Sequence, residues 1–240
     1  MDPRIEQLKR ALARPASMIE VGGFRPPEDP KTSWFGRVLW AGKDETWPES
    51  DGKPLWPIIQ LNLGEAPFVP DRLQRFRFLT LFANDDPPFD KANGDGWCLR
   101  LYEDDNALVP VSPPETDSTI RAFPIRFHLD TAALPDWENF VAWQQLFSFE
   151  EIRSFDAVVG EYYDMIGDLP LGSKLGGWPS SIQHLPFERA WLVGHEPKLQ
   201  VEYVFQLDCE PKANWGWAGD GCAYFGIDER GDWQVEIQMT

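Results

Sequence analysis

The chain has 240 residues, 42% apolar and 14% aromatic, enough to fill a sizeable core without disulfide or metal staples. Its 22 Lys and Arg against 39 Asp and Glu give a formal net charge of −17, and so acidic a surface repels phosphate backbones and anionic lipid headgroups. Nucleic acid and membrane are therefore not expected partners, and no stretch approaches the roughly eighteen apolar residues of a membrane span.

In chain order, Met1-Asp2-Pro3-Arg4 opens a charged amphipathic stretch without the apolar region of a signal peptide, so a cytoplasmic location is expected. Ile5, Leu8 and Leu12 recur at helical spacing up to Arg14, and Pro15 ends the pattern; residues 1–17 read as an N-terminal helix. From Met18 onward, short apolar runs are cut by many of the 22 prolines and 19 glycines. Trp34–Trp40, Leu55–Leu63, Phe76–Phe82, Trp97–Tyr102 and Ile120–Leu129 are predicted strands. Residues 136–167 form a predicted helical connection. Asp136 caps a first helix carrying Phe140, Trp143 and Phe147, and a capping box of Ser148 and Glu151 opens a second. Ile152, Phe155, Val159, Tyr162 and Ile166 give that second helix a core-facing stripe, and Gly167 ends it. Val201–Leu207, Cys222–Ile227 and Trp233–Gln238 return to strand.

Two passages follow one order. Trp47-Pro48 precedes Ile59-Gln60-Leu61-Asn62 and the strand Phe78–Phe82; Trp178-Pro179 precedes Phe205-Gln206-Leu207-Asp208 and the strand Ala223–Ile227. The expected fold is therefore α+β, with two β-rich, internally duplicated halves (about 18–135 and 168–240) packed into one domain with a few helices. Gln60 and Gln206 sit among apolar neighbours, so each carboxamide is expected to be buried and bonded to the backbone of its Trp-Pro loop.

Ser173-Lys174-Leu175-Gly176-Gly177-Trp178-Pro179-Ser180-Ser181-Ile182-Gln183 resembles the Lys-Leu-Gly-Gly-aromatic-Pro segment of YwqG-like proteins, a bacterial family of unknown function. Phe205–Asp208, Trp215–Phe225, Trp47-Pro48 and Ile59–Asn62 match further segments of that family in order. The resemblance implies a mixed α and β fold. It also implies an immunity or antitoxin-like role, since some members lie beside toxin genes.

No Gly-x-Ser-x-Gly elbow, Walker motif, zinc spacing or EF-hand loop is present, so no catalytic residue, metal or cofactor is assigned. Gly172–Gly177 reads as a tight turn requiring positive φ. The cysteines Cys98, Cys209 and Cys222 read as free thiols, and His128, His184 and His195 share no ligand spacing. A polar site with aromatic walls is expected where Lys174, Gln183, His184, Gln206, Asp208, Trp215, Trp217 and Asp220 converge. Asp208 and Asp220 either cap loops or act as an acid–base pair on a sugar. Between Asp85 and Asp117 nine acidic residues face two basic ones. This negative segment, with Asp85, Asp86, Asp104 and Asp105 as its candidate contact residues, suits a basic protein partner. The leading expectation is a monomeric or weakly dimeric, non-catalytic acidic module that neutralises a basic, toxin-like partner. A hydrolase using Asp208 and Asp220 and a carbohydrate-binding module are the alternatives.

Overall fold

The computed structural model describes residues 2–86, 88–89, 91–136, 146–166, 172–187 and 200–239. Residues 137–145, which hold most of the first predicted helix of the connection, and Gly167 and His195 lie outside the described residues. Helix α1 (Pro3–Leu12) is capped by the Asp2 carboxylate, which accepts a hydrogen bond from the Arg4 backbone N–H, and it buries Ile5, Leu8 and Leu12. It stops at Leu12 because Ala13 turns extended, and Arg14 already begins strand β1 (Arg14–Val21), which helical periodicity did not reveal.

The remaining strands are β2 (Trp34–Phe35), β3 (Trp40–Gly42), β4 (Glu49–Ser50), β5 (Lys53–Pro54), β6 (Trp56–Asn62), β7 (Phe78–Ala83), β8 (Trp97–Tyr102), β9 (Leu108–Pro110), β10 (Phe123–Ala133), β11 (Lys174–Gly176), β12 (Val201–Asp208), β13 (Cys222–Asp228) and β14 (Trp233–Gln238). Helices α2 (Phe149–Phe155) and α3 (Val159–Ile166) are separated by a 3₁₀ turn at Asp156–Val158. The predicted capping box is present: the Ser148 hydroxyl accepts from the Glu151 N–H, and the Glu151 carboxylate accepts from the Ser148 N–H.

The expected α+β class is overturned: the protein is mostly β, with one large, nearly closed, barrel-like sheet. Among the described residues, ten strands run in the order β14-β13-β12-β11-β1-β10-β2-β6-β7-β8. The physical reason is edge pairing. β1 pairs antiparallel with β10 on one side and β11 on the other, so two sets of strands share one hydrogen-bonded ladder instead of packing as separate layers beside helices. The helices are peripheral: α1 packs with Phe155, Val158, Tyr162 and Trp178 in a small cluster of its own.

Curling of the sheet brings its two ends together around one core. Trp97 of β8 packs against Phe225 of β13 at 5.8 Å between ring centroids, and Phe225 stacks on Phe205 at 4.5 Å. Leu79 and Leu81 of β7 and Leu207 and Ala223 of the other set fill the same core.

The strand order reads alike from either end, and the hydrogen bonds follow it. Gln60 pairs with Trp34 and Thr80; Gln206 pairs with Lys174 and Tyr224. The fully buried Gln60 accepts from the Leu39 N–H at 2.8 Å and donates to the Thr32 carbonyl at 3.0 Å. Gln206, equally buried, accepts from the Ser180 N–H at 2.9 Å and donates to the Gly172 carbonyl at 2.9 Å. The Ser33 hydroxyl accepts from the Asn62 N–H, as that of Ser173 does from Asp208. Gly36 and Gly176 both sit at positive φ (70° and 74°) where the chain leaves its short strand. At each, a Cβ would collide: with the Arg121 carbonyl at 2.6 Å, or with the Phe68 ring at 2.5 Å.

Two details differ from expectation. Gln206 does hold its Trp-Pro loop, through Ser180, but Gln60 holds Leu39 and Thr32 rather than Trp47-Pro48. The matched sets also do not divide at one point of the chain, because β1 sits with β11–β14.

Replacing either carboxamide should therefore cost alike. Gln60→Met and Gln206→Met each strand a backbone N–H and a carbonyl in the interior, so each is expected to lose about 2–4 kcal/mol in urea unfolding. A loss below about 0.5 kcal/mol in either variant would show that the loop finds other partners.

Candidate functional site

In a strand, alternate side chains face opposite sides. Leu175, Phe205 and Phe225 point into the core, so their neighbours Lys174, Gln206 and Tyr224 form a row across the outer face, continued by Met18 and Glu236. The Gly177–Ser181 loop lies over this row and is tied down at several points. Gly177 donates to the Pro15 carbonyl at 3.0 Å, and the Trp178 indole donates to the Leu12 carbonyl at 2.6 Å. The Arg14 guanidinium stacks over the Trp178 ring, 3.3 Å from its centroid. Ser180 is held by both backbone groups: its N–H donates to Gln206, and its carbonyl accepts from the Tyr224 hydroxyl at 2.6 Å.

The Lys174 Nζ donates to the Ser180 Oγ at 2.8 Å. Lys174 is 6% exposed. Among the described residues its hydrogen-bond partner is that hydroxyl, and no carboxylate stands within ion-pair reach. Burial pushes its pKa down to about 8, opposed at longer range by the Cys222 sulfur and the Asp130 carboxylate. Lys174 and Ser180 line a cavity of about 210 Å³. Met18, Ala132, Ala133, Leu134, Met165 and Ile166 supply its apolar walls, and Asp130 completes its polar lining.

A second cavity, of about 220 Å³, lies over the outer face of the other strand set, beside Trp47, Phe82 and Arg100. Its polar groups satisfy one another. Glu45 accepts from the Tyr102 hydroxyl at 2.6 Å and the Gly42 N–H at 2.8 Å, and Arg100 donates to the Thr46 carbonyl at 2.8 Å. The Lys174 cavity is the one that leaves a buried cation undercompensated.

The residues expected to converge do so only in part. Lys174 and Gln206 are register partners, and Asp208 follows two residues beyond Gln206. The half-buried Asp208 caps the Cys209 N–H at 2.8 Å, and burial raises its pKa. Asp220 is exposed on the loop before β13. Gln183 and His184 gather instead at β14, where the Gln238 Oε1 accepts from Gln183 N–H at 3.0 Å and its amide donates to the His184 carbonyl at 2.7 Å. Trp215 and Trp217 form no outer wall. They pack edge to face at 4.9 Å inside the core, and their indole N–H groups have no partner among the described residues. A Trp that reads as a stacking platform in sequence is thus spent on filling the barrel.

The acidic candidates separate as well. Phe78 pairs with Tyr102 and Ala83 with Trp97, so Asp85 and Asp86 follow one end of the β7–β8 hairpin while Asp104 and Asp105 follow the other. Asp104 is engaged in capping the Asn106 N–H at 2.9 Å. His128 is exposed on β10 and bonded to Glu20. The thiols are poor nucleophiles, since burial raises the pKa of Cys98 and of Cys222 and lifts that of Cys209 to about 11. Ser180, Met18 and Asp130 escaped the sequence reading. A hydroxyl six residues from its lysine, across a glycine turn, matches no spacing motif.

The buried ammonium gives a pH signature. The folded pKa lies below the unfolded value near 10.5, so the destabilisation is fully present below pH 8 and fades as pH rises from 8 towards 10.5. Lys174→Met removes it. The variant's stability gain over the parent is expected to be larger at pH 7 than at pH 10, by on the order of 3 kcal/mol, in urea unfolding of both proteins at both pH values. A pH-independent difference would mean that Lys174 titrates normally.

The chain matches no curated protein. Residues 36–231 match the family model described as Domain of unknown function (DUF1963), a span that includes both carboxamide pins, Lys174 and Ser180. This chain is a member of the DUF1963 family.

Proposed function

We propose that this protein is a small-ligand-binding module whose pocket takes a short aliphatic carboxylate, with Lys174 as its counter-ion. One observation carries the reading: a buried ammonium on the wall of a mostly apolar cavity, hydrogen-bonded to a hydroxyl and without a contacting carboxylate among the described residues. A buried cation of this kind is costly until an anion joins it. The apolar walls suit a hydrocarbon tail, and the volume limits that tail to a few carbons. Asp130 on the same lining disfavours a second negative charge on the ligand.

The net charge of −17 favours a second reading, in which a basic protein docks on the acidic exterior. Because the two acidic pairs sit at opposite ends of a hairpin, such a partner engages one patch rather than a single continuous face. Within the family, the ordered motifs from Ser173 to Gln183 and from Trp215 to Phe225 support placement among the bacterial YwqG-like members. The matched hydrogen bonds of Gln60 and Gln206 support an ancestral duplication. Free cysteines and the absence, among the described residues, of a helix long and apolar enough to cross a membrane are compatible with a cytoplasmic setting.

Isothermal titration with butyrate, isovalerate and succinate tests the pocket. The two monocarboxylates are expected to bind with Kd at or below about 1 mM, succinate at least about tenfold more weakly. Lys174→Met, its fold checked by circular dichroism, is expected to lose the binding. Equal binding in the variant, or none in the parent, rules the pocket out as a carboxylate site.

A further inference from the structure

We propose that Ser180 is a nucleophile with Lys174 as its general base, so that this pocket hydrolyses short-chain aliphatic esters through an acyl-enzyme; the inference rests on the carboxylate-pocket reading above. Among the polar clusters of the described residues, this pair alone combines a nucleophile, a base in hydrogen-bond contact and a shared cavity. The Glu45–Arg100–Tyr102 group is closed on itself, the thiols are suppressed, and His184 is engaged by Gln238.

Nucleophile activation needs a base within about 2.6–3.2 Å of the hydroxyl, and a lysine serves as that base where an apolar setting favours its neutral form. The Nζ–Oγ separation is 2.8 Å. Both side chains line the cavity whose apolar lining, Met165 and Ile166 included, would seat the acyl chain. Ser180 does not have to be ordered at the moment of reaction, because Gln206 and Tyr224 already hold its backbone N–H and carbonyl. The burial that lowers Lys174 to about pKa 8 leaves a useful neutral fraction near physiological pH.

The step balances without any further cofactor. Neutral Lys174 takes the Ser180 Oγ proton as Oγ bonds to the ester carbonyl carbon. The carbon–oxygen bond to the alcohol then breaks, and Lys174 returns the proton to the leaving alkoxide. Water repeats the sequence on the acyl-serine: Lys174 accepts the water proton, the carboxylic acid forms, and Oγ leaves with the proton from Lys174. The released carboxylate is the ligand that the protonated pocket holds. Binding and chemistry thus make opposite demands on one side chain, binding requiring the ammonium and acylation the amine.

The test is labelling of the full chain with an alkyl fluorophosphonate, which loses fluoride as Oγ bonds to phosphorus, followed by intact-mass and peptide analysis. One adduct is expected, on the peptide holding Ser180, formed about tenfold faster at pH 9 than at pH 7. Butyrate is expected to slow it, Ser180→Ala to abolish it, and Lys174→Met to slow it at least about 100-fold. The Lys174→Met variant and the peptide assignment keep the test decisive should Ser180→Ala not fold. Adducts on other residues, or a rate unchanged in Lys174→Met, overturn the nucleophile. Butyrate binding with no adduct overturns the nucleophile and leaves the carboxylate pocket standing. An adduct on Ser180 that butyrate does not slow supports the nucleophile and removes the pocket reading.

Discussion

The antiparallel pairing of β1 with β10 is the joint on which the rest of the architecture depends. It runs from Arg14 opposite Ala133 to Val21 opposite Ile125, with a register shift between Arg14 and Ala16, and β1's other edge carries β11. A strand from the chain's beginning thereby closes the gap between the strands that follow β10 and those that precede it. Without it, the C-terminal set would present an unpaired edge and an exposed apolar face. With it, ordinary strand twist curls one sheet until the inner faces of both sets bury each other.

That closed inner core leaves the chemistry to the outer faces. Each is covered by a loop, and each loop is pinned by a buried carboxamide bonded to one N–H and one carbonyl. A side-chain amide suits the task because it donates and accepts at once, and removing it leaves two backbone groups unsatisfied. The pins match but their neighbours do not. Where one set has Trp34 and Thr80 beside Gln60, the other has Lys174 and Tyr224 beside Gln206. The site lies where the correspondence breaks. A lysine in an outer row, roofed by a loop, is largely shielded from water and is held beside the Ser180 hydroxyl instead.

Sequence periodicity served well wherever one strand or helix carried its own signal. Trp97–Tyr102 and Trp233–Gln238 are strands at the expected bounds. Of the predicted stripe, Phe155 and Tyr162 are buried, but the 3₁₀ turn at Asp156–Val158 breaks the expected single helix and buries Val158 in place of Val159. It failed at β1 and β11. Arg14–Val21 contains a proline and small residues, and Lys174–Gly176 is only three residues, the last a glycine; both are strands only because neighbours on each side satisfy their backbones. Tryptophan and aspartate misled for a related reason. Trp215 and Trp217 face inward, and Asp85 and Asp104 end up a hairpin's length apart, and neither fact is encoded in residue type or spacing.

What the sequence by itself determined is local and compositional: the capping box of Ser148 and Glu151, most strand segments, two buried glutamines and an acidic composition. What only the tertiary structure decided is which side chains meet. Lys174 and Ser180 are six residues apart and would diverge along any regular strand or helix. They touch because Gly176 and Gly177, both at positive φ, fold the chain back. Gln206 and Tyr224, arriving from strands further along the chain, then hold the returning loop in place. Proximity of that kind is a property of the assembled sheet, and no window of sequence contains it.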